Sequence, residues 1–200
     1  MAGASTAAPA SWLTYGFDLQ RSGYNPSETS IGPGNAAGIH KLWSMDLGAI
    51  MIAQPVEAAA VSVGGVRTNV VYEGTEHGDF YAIRASDGHQ IWRKNLGSVQ
   101  TTCYNMPDGV YGIGGAAAIA LTGSGSGVIY VAGGDGAVHA LDLATGSERP
   151  GWPVGGVFTP AQEHVWSAVN LFAGKLYVTV ASHCDRPPYH GDTVEIDVNT

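Results

Sequence analysis

Short apolar runs alternate with glycine-rich turns along most of the chain. Residues 70–72 and 128–131 are continuous apolar runs, a pattern typical of strands that are covered on both faces. A second strand-like run follows each of them, at 80–83 and 138–142. These second runs lead into pairs that favour tight hairpin turns, because glycine adopts positive φ without steric cost: Asp87-Gly88 and Thr145-Gly146. The pattern predicts short antiparallel strands joined by hairpins.

The same pattern recurs at a fixed period, which identifies a repeat architecture. Residues 72–88 and 130–146 are each 17 residues long and align without a gap, with Gly78 on Gly136. A third copy begins at Tyr177 and carries an eight-residue insertion. One such sheet cannot bury both of its faces, whereas sheets stacked around an axis can. We therefore predict an all-β protein, a β-propeller of four-stranded antiparallel blades, with about three and a half blades present as a partial ring.

The repeat also sets the expected strand positions. We assign the end of blade 1 to 42–47 and expect blade 3 to have a weak fourth strand near Trp152. The other strands are expected at 55–63, 69–73, 80–85 and 90–96 in blade 2, at 115–121, 128–132 and 138–143 in blade 3, and at 165–171, 175–181 and 193–198 in blade 4. A flat β-sandwich is the alternative, but it does not explain repeats in register with a fixed turn and tryptophan.

Composition and charge narrow the classes of partner. The net charge is −8 and only 13% of the residues are charged, so basic patches for nucleic acid or anionic membranes are not expected. No apolar run approaches the roughly 18 residues that a membrane-spanning helix needs. Residues 1–11 are rich in Ala, Ser, Gly and Pro, and we interpret them as a flexible leader or linker before a propeller domain at 12–200.

Two segments carry a family resemblance. The stretches from Gly78 to Trp92 and from Gly136 to Gly146 resemble the tryptophan-docking repeat of the quinoprotein propellers. Residues 12–43, which include Trp12 and Trp43, resemble the N-terminal segment of pyrroloquinoline-quinone (PQQ) dehydrogenase-like proteins. The resemblance implies a ring of roughly seven or eight blades, of which this chain is the N-terminal half. It also implies an extracellular or periplasmic location, with PQQ and Ca²⁺ as the cofactors if the protein is an enzyme.

In a propeller, the turns between the second and third strands and the loops between blades open on the same face. We name this side the loop face, and rigid scaffolds commonly carry their binding residues on such loops. The expected ligand there is a small molecule, a polymer or a protein. The candidate residues on the loop face are Glu76, His77, Asp135, His164, His183, Asp185 and His190.

The two cysteines also lie in loops of this face. Cys103 and Cys184 are 81 positions apart, and a disulfide between them, two free thiols and metal ligation all remain open. Residues 182–190 hold His, Cys and Asp in direct succession, and adjacent residues rarely converge on one ion. We therefore assign no metal site there and interpret the segment as a structural loop, with metal or ligand contact as the alternative.

The resemblance permits a residue-level test of the dehydrogenase hypothesis. Those enzymes hold Ca²⁺ through carboxylate and amide oxygens and place a disulfide of adjacent cysteines against the quinone, and this chain has no adjacent cysteines. Glu57 and Asn170 lie on axis-side strands and are the candidate cofactor residues; no catalytic residue is assigned.

Two functions follow from this interpretation. The first is a secreted or periplasmic binding or scaffold module. The second is the N-terminal part of a PQQ-dependent dehydrogenase that oxidises an alcohol or a sugar. A partial ring leaves an open edge, so we also expect self-association.

Overall fold

The computed structural model describes residues 11–104, 106–184, 187 and 191–199, together with the backbone of residue 185. Of the leader predicted at 1–11, only Ser11 is among the described residues. His190 and the side chain of Asp185 lie outside them. Regular structure in the described part is β, apart from two short 3₁₀ helices at Ala36–Gly38 and His183–Asp185. No helix in that part has the length and apolarity that a bilayer span requires.

Blade 2 is a complete sheet of four antiparallel strands, which pair in the order in which they follow along the chain. Valine, isoleucine and aromatic residues at its centre favour strands, and glycines at positive φ turn the chain between them. Its strands are β1 (Val56–Val63), β2 (Val66–Gly74), β3 (Asp79–Arg84) and β4 (Gln90–Asn95).

Blades 3 and 4 are less regular. In blade 3, isolated bridges from Val138 to Val154 and from Leu141 to Glu148 stand where a fourth strand would run, near the weak strand predicted at Trp152. In blade 4, the central strand pairs with two short strands on one side and with the last strand of the chain on the other. A short ribbon lies between blades 2 and 3. The strands are β5 (Val99–Gln100) and β6 (Val110–Tyr111) in the ribbon, β7 (Ala118–Gly123), β8 (Ser126–Ala132) and β9 (Val138–Asp142) in blade 3, and β10 (Glu163–His164), β11 (Asn170–Phe172), β12 (Lys175–Ser182) and β13 (Gly191–Asp197) in blade 4.

These open antiparallel sheets confirm the predicted all-β, partial-propeller fold. Residues 42–47, assigned to the end of blade 1, form no strand. They nevertheless pack on blade 2, where Trp43 and Leu47 contact Tyr81 and Ile83.

The N-terminal segment lies on the inner edges of two blades. Trp12 exchanges both backbone hydrogen bonds with Glu57 of β1, at 2.8 and 2.9 Å. The next carbonyl, that of Leu13, accepts a hydrogen bond from the Ile119 amide of β7 at 2.8 Å. Residues 12 and 13 therefore satisfy backbone groups that the inner strands of blades 2 and 3 would otherwise expose.

Blades 2 and 3 are joined by an apolar core that contains Tyr72, Phe80 and Trp92. The Tyr72 hydroxyl and the Trp92 indole N–H both donate to the Leu143 carbonyl, at 2.9 and 3.0 Å. The Trp92 ring lies so close to Gly146 that a Cβ there would be 2.8 Å from it. One blade earlier, Trp43 makes the same contact with Gly88 and donates to the Ala85 carbonyl. Each tryptophan thus joins its own blade to the turn of the next blade.

The face of blade 4 that points away from blade 3 is polar. Lys175 pairs with Glu195 there, and Thr179 and Thr193 are exposed. In the repeat alignment, Thr193 of blade 4 takes the position of Val138 of blade 3. Val138 lies in the apolar core between blades 3 and 4. Self-association through an open edge stays a prediction.

Candidate functional site

The predicted loop face carries several of the candidate residues. Glu76 and His77 occupy the turn between β2 and β3, and Asp135 occupies the corresponding turn between β8 and β9. His164 lies on β10, and His183 begins the 3₁₀ helix that follows β12. Among these side chains, those of His164 and His183 contact each other.

His164 and His183 meet in an aromatic cluster, which we name the rim cluster: Tyr111, His164, Trp166 and His183. The Tyr111 ring is stacked on His164 with centroids 4.7 Å apart and an interplanar angle of 6°. His183 lies 4.4 Å from Tyr111 and 5.1 Å from His164, and Trp166 lies 5.0 Å from His164. Sequence reasoning missed Tyr111 and Trp166. Tyr111 is distant in the chain from the other members, whereas the position of Trp166 two residues after His164 was a signal that could have found it.

A disulfide bond lies beside the rim cluster and restrains its loops. Cys103 and Cys184 are bonded, with Cα atoms 5.5 Å apart, so the first of the three alternatives for the cysteines is the one observed. Cys103, Met106 and Tyr111 form a small buried core with Cys184 packed against it. The bridge therefore links the loop between blades 2 and 3 to the long hairpin of blade 4, directly beside the two histidines.

His164 is held in its neutral form. Burial, and secondarily the neighbouring His183, lowers the pKa of His164 to about 4. Its Nδ1 atom is buried and has no hydrogen-bond partner among the described residues. A neutral imidazole in an aromatic stack costs less to bury than a charged one.

Trp166 belongs to a second feature as well. It lines a cavity of about 450 Å³ between the segments that precede β1, β7 and β11, which we name the axial cavity. Trp166 is 45% exposed and Tyr15 is 48% exposed, so both offer an open ring surface. Residues that line this cavity include Tyr15, Arg21, Gln54, Gly114, Trp166 and Asn170.

Glu76 lies next to this cavity and is 1% exposed. Its Oε2 accepts a hydrogen bond from the Gly112 amide at 2.8 Å, whereas its Oε1 has no partner among the described residues. Burial raises the pKa of this carboxyl group, and the hydrogen bond from Gly112 partly opposes the rise. Its neighbour His77 instead faces outward and pairs with Asp108 at 2.9 Å.

Asp135 is committed to a different contact. It pairs with the buried His139 at 3.1 Å, and His139 pairs on its other side with Glu148 at 2.9 Å. Burial opposes the charge of the imidazole, but the hydrogen bonds to both carboxylates outweigh it and raise the pKa of His139. Lys94 of β4 reaches Glu148 at 2.9 Å, so this network joins blades 2 and 3. Sequence reasoning missed His139, because one histidine in an apolar strand gives no signal of its partners.

The two cofactor candidates face different cavities. Asn170 lines the axial cavity and donates its amide to the Ala168 carbonyl at 2.9 Å. Glu57 lines a smaller cavity of about 310 Å³ beside Trp12, where burial raises the pKa of its carboxyl group. The structure does not bring the two side chains together in one cavity, and their cofactor role stays a prediction.

Comparisons with known proteins agree with this architecture. The family model of the glucose/ethanol/alcohol dehydrogenase β-propeller domain (PQQ) matches residues 12–199. No curated protein matches the chain significantly.

Similar solved structures include three dehydrogenases. The quinohemoprotein alcohol dehydrogenase ADHIIG of Pseudomonas putida HK5 is 19% identical, with a TM-score of 0.65 over 94% of this chain and 25% of that one. The Comamonas testosteroni enzyme is 21% identical, with a TM-score of 0.60 over 95% and 28%. A europium-containing methanol dehydrogenase is 18% identical, with a TM-score of 0.64 over 96% and 31%. This chain thus spans between 25% and 31% of each of those chains, and the likeness concerns the fold.

The family model covers nearly the whole repeat region, and the blades have the strand order that the repeat predicts. The chain belongs to the PQQ family of glucose/ethanol/alcohol dehydrogenase β-propeller domains.

Proposed function

We propose that this propeller is a secreted or periplasmic binding module that takes a ring-shaped, hydroxyl-rich small molecule in the axial cavity. The observation that carries the proposal is the exposed indole of Trp166 at the wall of that cavity. An open aromatic ring provides apolar area together with a π face on which a ligand ring stacks. The ligand would enter from the loop face.

The rest of the cavity supports the same class of ligand. Gln54, Ser167 and Asn170 contribute amide and hydroxyl groups, which exchange hydrogen bonds with ligand hydroxyls. The Gln54 side chain accepts a hydrogen bond from the Gly16 amide at 2.8 Å, so its position is fixed before a ligand arrives. The Cys103–Cys184 disulfide supports an oxidising compartment, where such bonds persist.

Replacement of Trp166 tests the proposal. Isothermal titration of the purified chain with D-glucose should give saturable binding, and Trp166→Ala should weaken it about five- to tenfold, because stacking on an indole contributes about 1–1.5 kcal/mol. Phe172→Ala is the matched control, since Phe172 is 56% exposed on the same blade and does not line the cavity. Equal affinity of the Trp166→Ala variant and the parent chain would refute a role for the axial cavity.

A second candidate is the N-terminal part of a PQQ-dependent dehydrogenase that acts on an alcohol or a sugar. It is favoured by the family match and by one feature of the cavity: Arg21 lines the same cavity as Trp166, and its cation suits a flat, anionic quinone. Arg21, Trp166 and Asn170 would hold the quinone, and the bound quinone would accept the two electrons of the alcohol.

Reconstitution with PQQ and Ca²⁺ distinguishes the two candidates. Quinone absorbance and equilibrium dialysis would show stoichiometric binding that a chelator removes if the chain is part of a dehydrogenase. Binding of D-glucose without any quinone binding would leave the binding module as the function.

A further inference from the structure

Blade 2 carries another cavity, which we name the basal cavity, on the side opposite the loop face. It has a volume of about 730 Å³ and lies beside the hairpin between β1 and β2 and the turn that follows β3. Arg67 and Arg84 line it together with Asn69 and Ser86, and none of the described residues that line it is acidic. A cavity with two cations and no carboxylate at its wall favours an anionic ligand.

Arg67 is held in place by uncharged partners. Its guanidinium group donates to the Ala60 carbonyl at 3.0 Å and to the Ser124 hydroxyl at 2.6 Å. Ser124 lies in the hairpin between β7 and β8, so the second contact joins blade 3 to blade 2. No carboxylate pairs with Arg67 in the described part of the chain, although acidic residues outnumber Lys and Arg by 17 to 9. The cation is therefore positioned before a ligand arrives, and its charge is available to one.

Arg84 takes a position that the repeat gives to aspartate in the other blades, Asp142 in blade 3 and Asp197 in blade 4. The Asp142 carboxylate shapes its turn by accepting hydrogen bonds from the amides that follow it. In blade 2, Asp87 accepts the His89 amide at 3.0 Å instead and pairs with one nitrogen of Arg84 at 2.9 Å. The other guanidinium nitrogens of Arg84 have no partner among the described residues. The turn thus forms without an aspartate at this position, and the repeat does not account for the arginine.

The remaining polar groups of the basal cavity are donors. The Asn69 side chain accepts the Ala60 amide at 3.0 Å through Oδ1, which leaves its Nδ2 group as a donor. Ser86 is exposed and supplies a hydroxyl group. A carboxylate has two acceptor oxygens, whereas a phosphate monoester has three and carries a charge of about −1.5 to −2. Two cations and two further donors around one cavity therefore match a phosphate group better than a carboxylate.

We propose that the basal cavity binds a phosphate group, with Arg67 and Arg84 as its two cations. Guanidinium groups bind phosphate through paired hydrogen bonds, and Asn69 and Ser86 donate further ones. The exposed side chain of Val66 adds apolar area to the same cavity, which suits an organic substituent on the phosphate. The net charge of −8 opposes a long polyanion, so the ligand is small. This site is separate from the axial cavity and does not depend on the function proposed for it.

Isothermal titration of the full chain with inorganic phosphate and with phenyl phosphate, at low ionic strength and about pH 8, tests the site. Both probes should bind saturably. Arg67→Gln and Arg84→Gln should each lower the affinity at least about tenfold, because each removes charge-assisted hydrogen bonds. Arg149→Gln is the matched control, since it removes the same charge from an exposed residue that does not line the cavity. It should change the affinity less than about twofold.

Ser124→Ala separates the charge of Arg67 from its contact between blades. This variant loses the hydrogen bond to blade 3 but keeps the cation, so its affinity for phosphate should stay within about threefold of the parent value. Thermal melting of each variant verifies that it is folded. Arg84→Gln gives a test in which the contact between blades is intact, because Arg84 pairs within its own turn.

Equal losses in Arg149→Gln and in the two cavity variants would overturn the site, since the net charge alone would then explain the binding. A Ser124→Ala variant as weak as Arg67→Gln would overturn the role of Arg67 as a phosphate contact. Binding of neither probe would overturn the whole proposal. Tighter binding of phenyl phosphate would support a phosphorylated small molecule as the ligand, and equal binding of both probes would support free phosphate.

Discussion

The contact between Trp92 and Gly146 gives the sharpest prediction about how the blades hold together. Gly146 has φ of +68°, and a Cβ there would lie 2.8 Å from two atoms of the Trp92 ring, well inside van der Waals contact. In Gly146→Ala the indole must therefore move. It would lose its hydrogen bond to the Leu143 carbonyl, now 3.0 Å long, and disturb the core between blades 2 and 3.

Three costs contribute to the expected change in the free energy of unfolding. Alanine in the left-handed region costs about 1–2 kcal/mol, crowding of a packed core about 1–3, and loss of a buried hydrogen bond about 1. We therefore expect Gly146→Ala to destabilise the chain by about 3–6 kcal/mol. Gly156→Ala isolates the first cost, since Gly156 has φ of +70° and a Cβ there meets nothing within 4 Å. It should lose only about 1–2 kcal/mol.

Urea denaturation, followed by circular dichroism and by tryptophan emission, measures both variants against the parent chain. The difference between Gly146→Ala and Gly156→Ala is the quantity of interest, because backbone strain is common to both. Equal destabilisation of the two variants would refute the reasoning and would mean that the Trp92 contact does not hold the blades together.

Three further predictions concern buried groups, each checked by urea denaturation. The pKa of His164 is lowered to about 4 from 6.5, so its neutral form contributes about 3 kcal/mol to the free energy of unfolding above pH 6.5, and this contribution is lost as the pH falls towards 4. His164→Phe should flatten the dependence of the unfolding free energy on pH in this range, and an unchanged dependence would contradict the burial argument. Burial raises the pKa of Glu73 to about 7 from 4.5, so the protonated carboxyl group contributes about 3 kcal/mol to the free energy of unfolding below pH 4.5, and this is lost as the pH rises through 7. Glu73→Gln should remove this fall in stability between pH 4.5 and 7, and a fall that persists would have to come from another group. Cys184→Ser removes a disulfide between positions 81 apart and should lower the free energy of unfolding by up to about 4 kcal/mol. Cys103→Ser should lower it equally and the double variant no further, whereas additive losses would show that the two cysteines stabilise the chain independently.

The fold could be predicted in detail from local patterns. Each hairpin needs a glycine at its turn and each blade needs apolar strands, so turn glycines recur at Gly88 and Gly146, and each of them meets a tryptophan, Trp43 or Trp92. The irregular parts were harder to predict. Isolated bridges replace a fourth strand in blade 3, and the pairing of Trp12 with Glu57 leaves no trace in a repeat, because the two residues belong to different segments.

The candidate site was predicted only in part. The loop face was inferred from topology, and the structure places His164 against His183 and joins the two cysteines beside them, while a role of these residues in binding stays a prediction. Asp135 lies in a turn of the loop face as expected from topology, but sequence reasoning missed the pairing of its carboxylate with the buried His139, four residues away; its role in ligand binding stays a prediction.

The sequence by itself determined the repeat, the blade type and the face on which loops gather, because these depend on residues close together in the chain. Only the tertiary structure decided which loop residues meet. Tyr111, Trp166 and His183 come from three separate segments, and Gly114 lies over Glu76 because two blades pack side by side. Such contacts are set by how blades pack around the axis, and a pattern along one strand carries no information about the strand that it faces in the next blade.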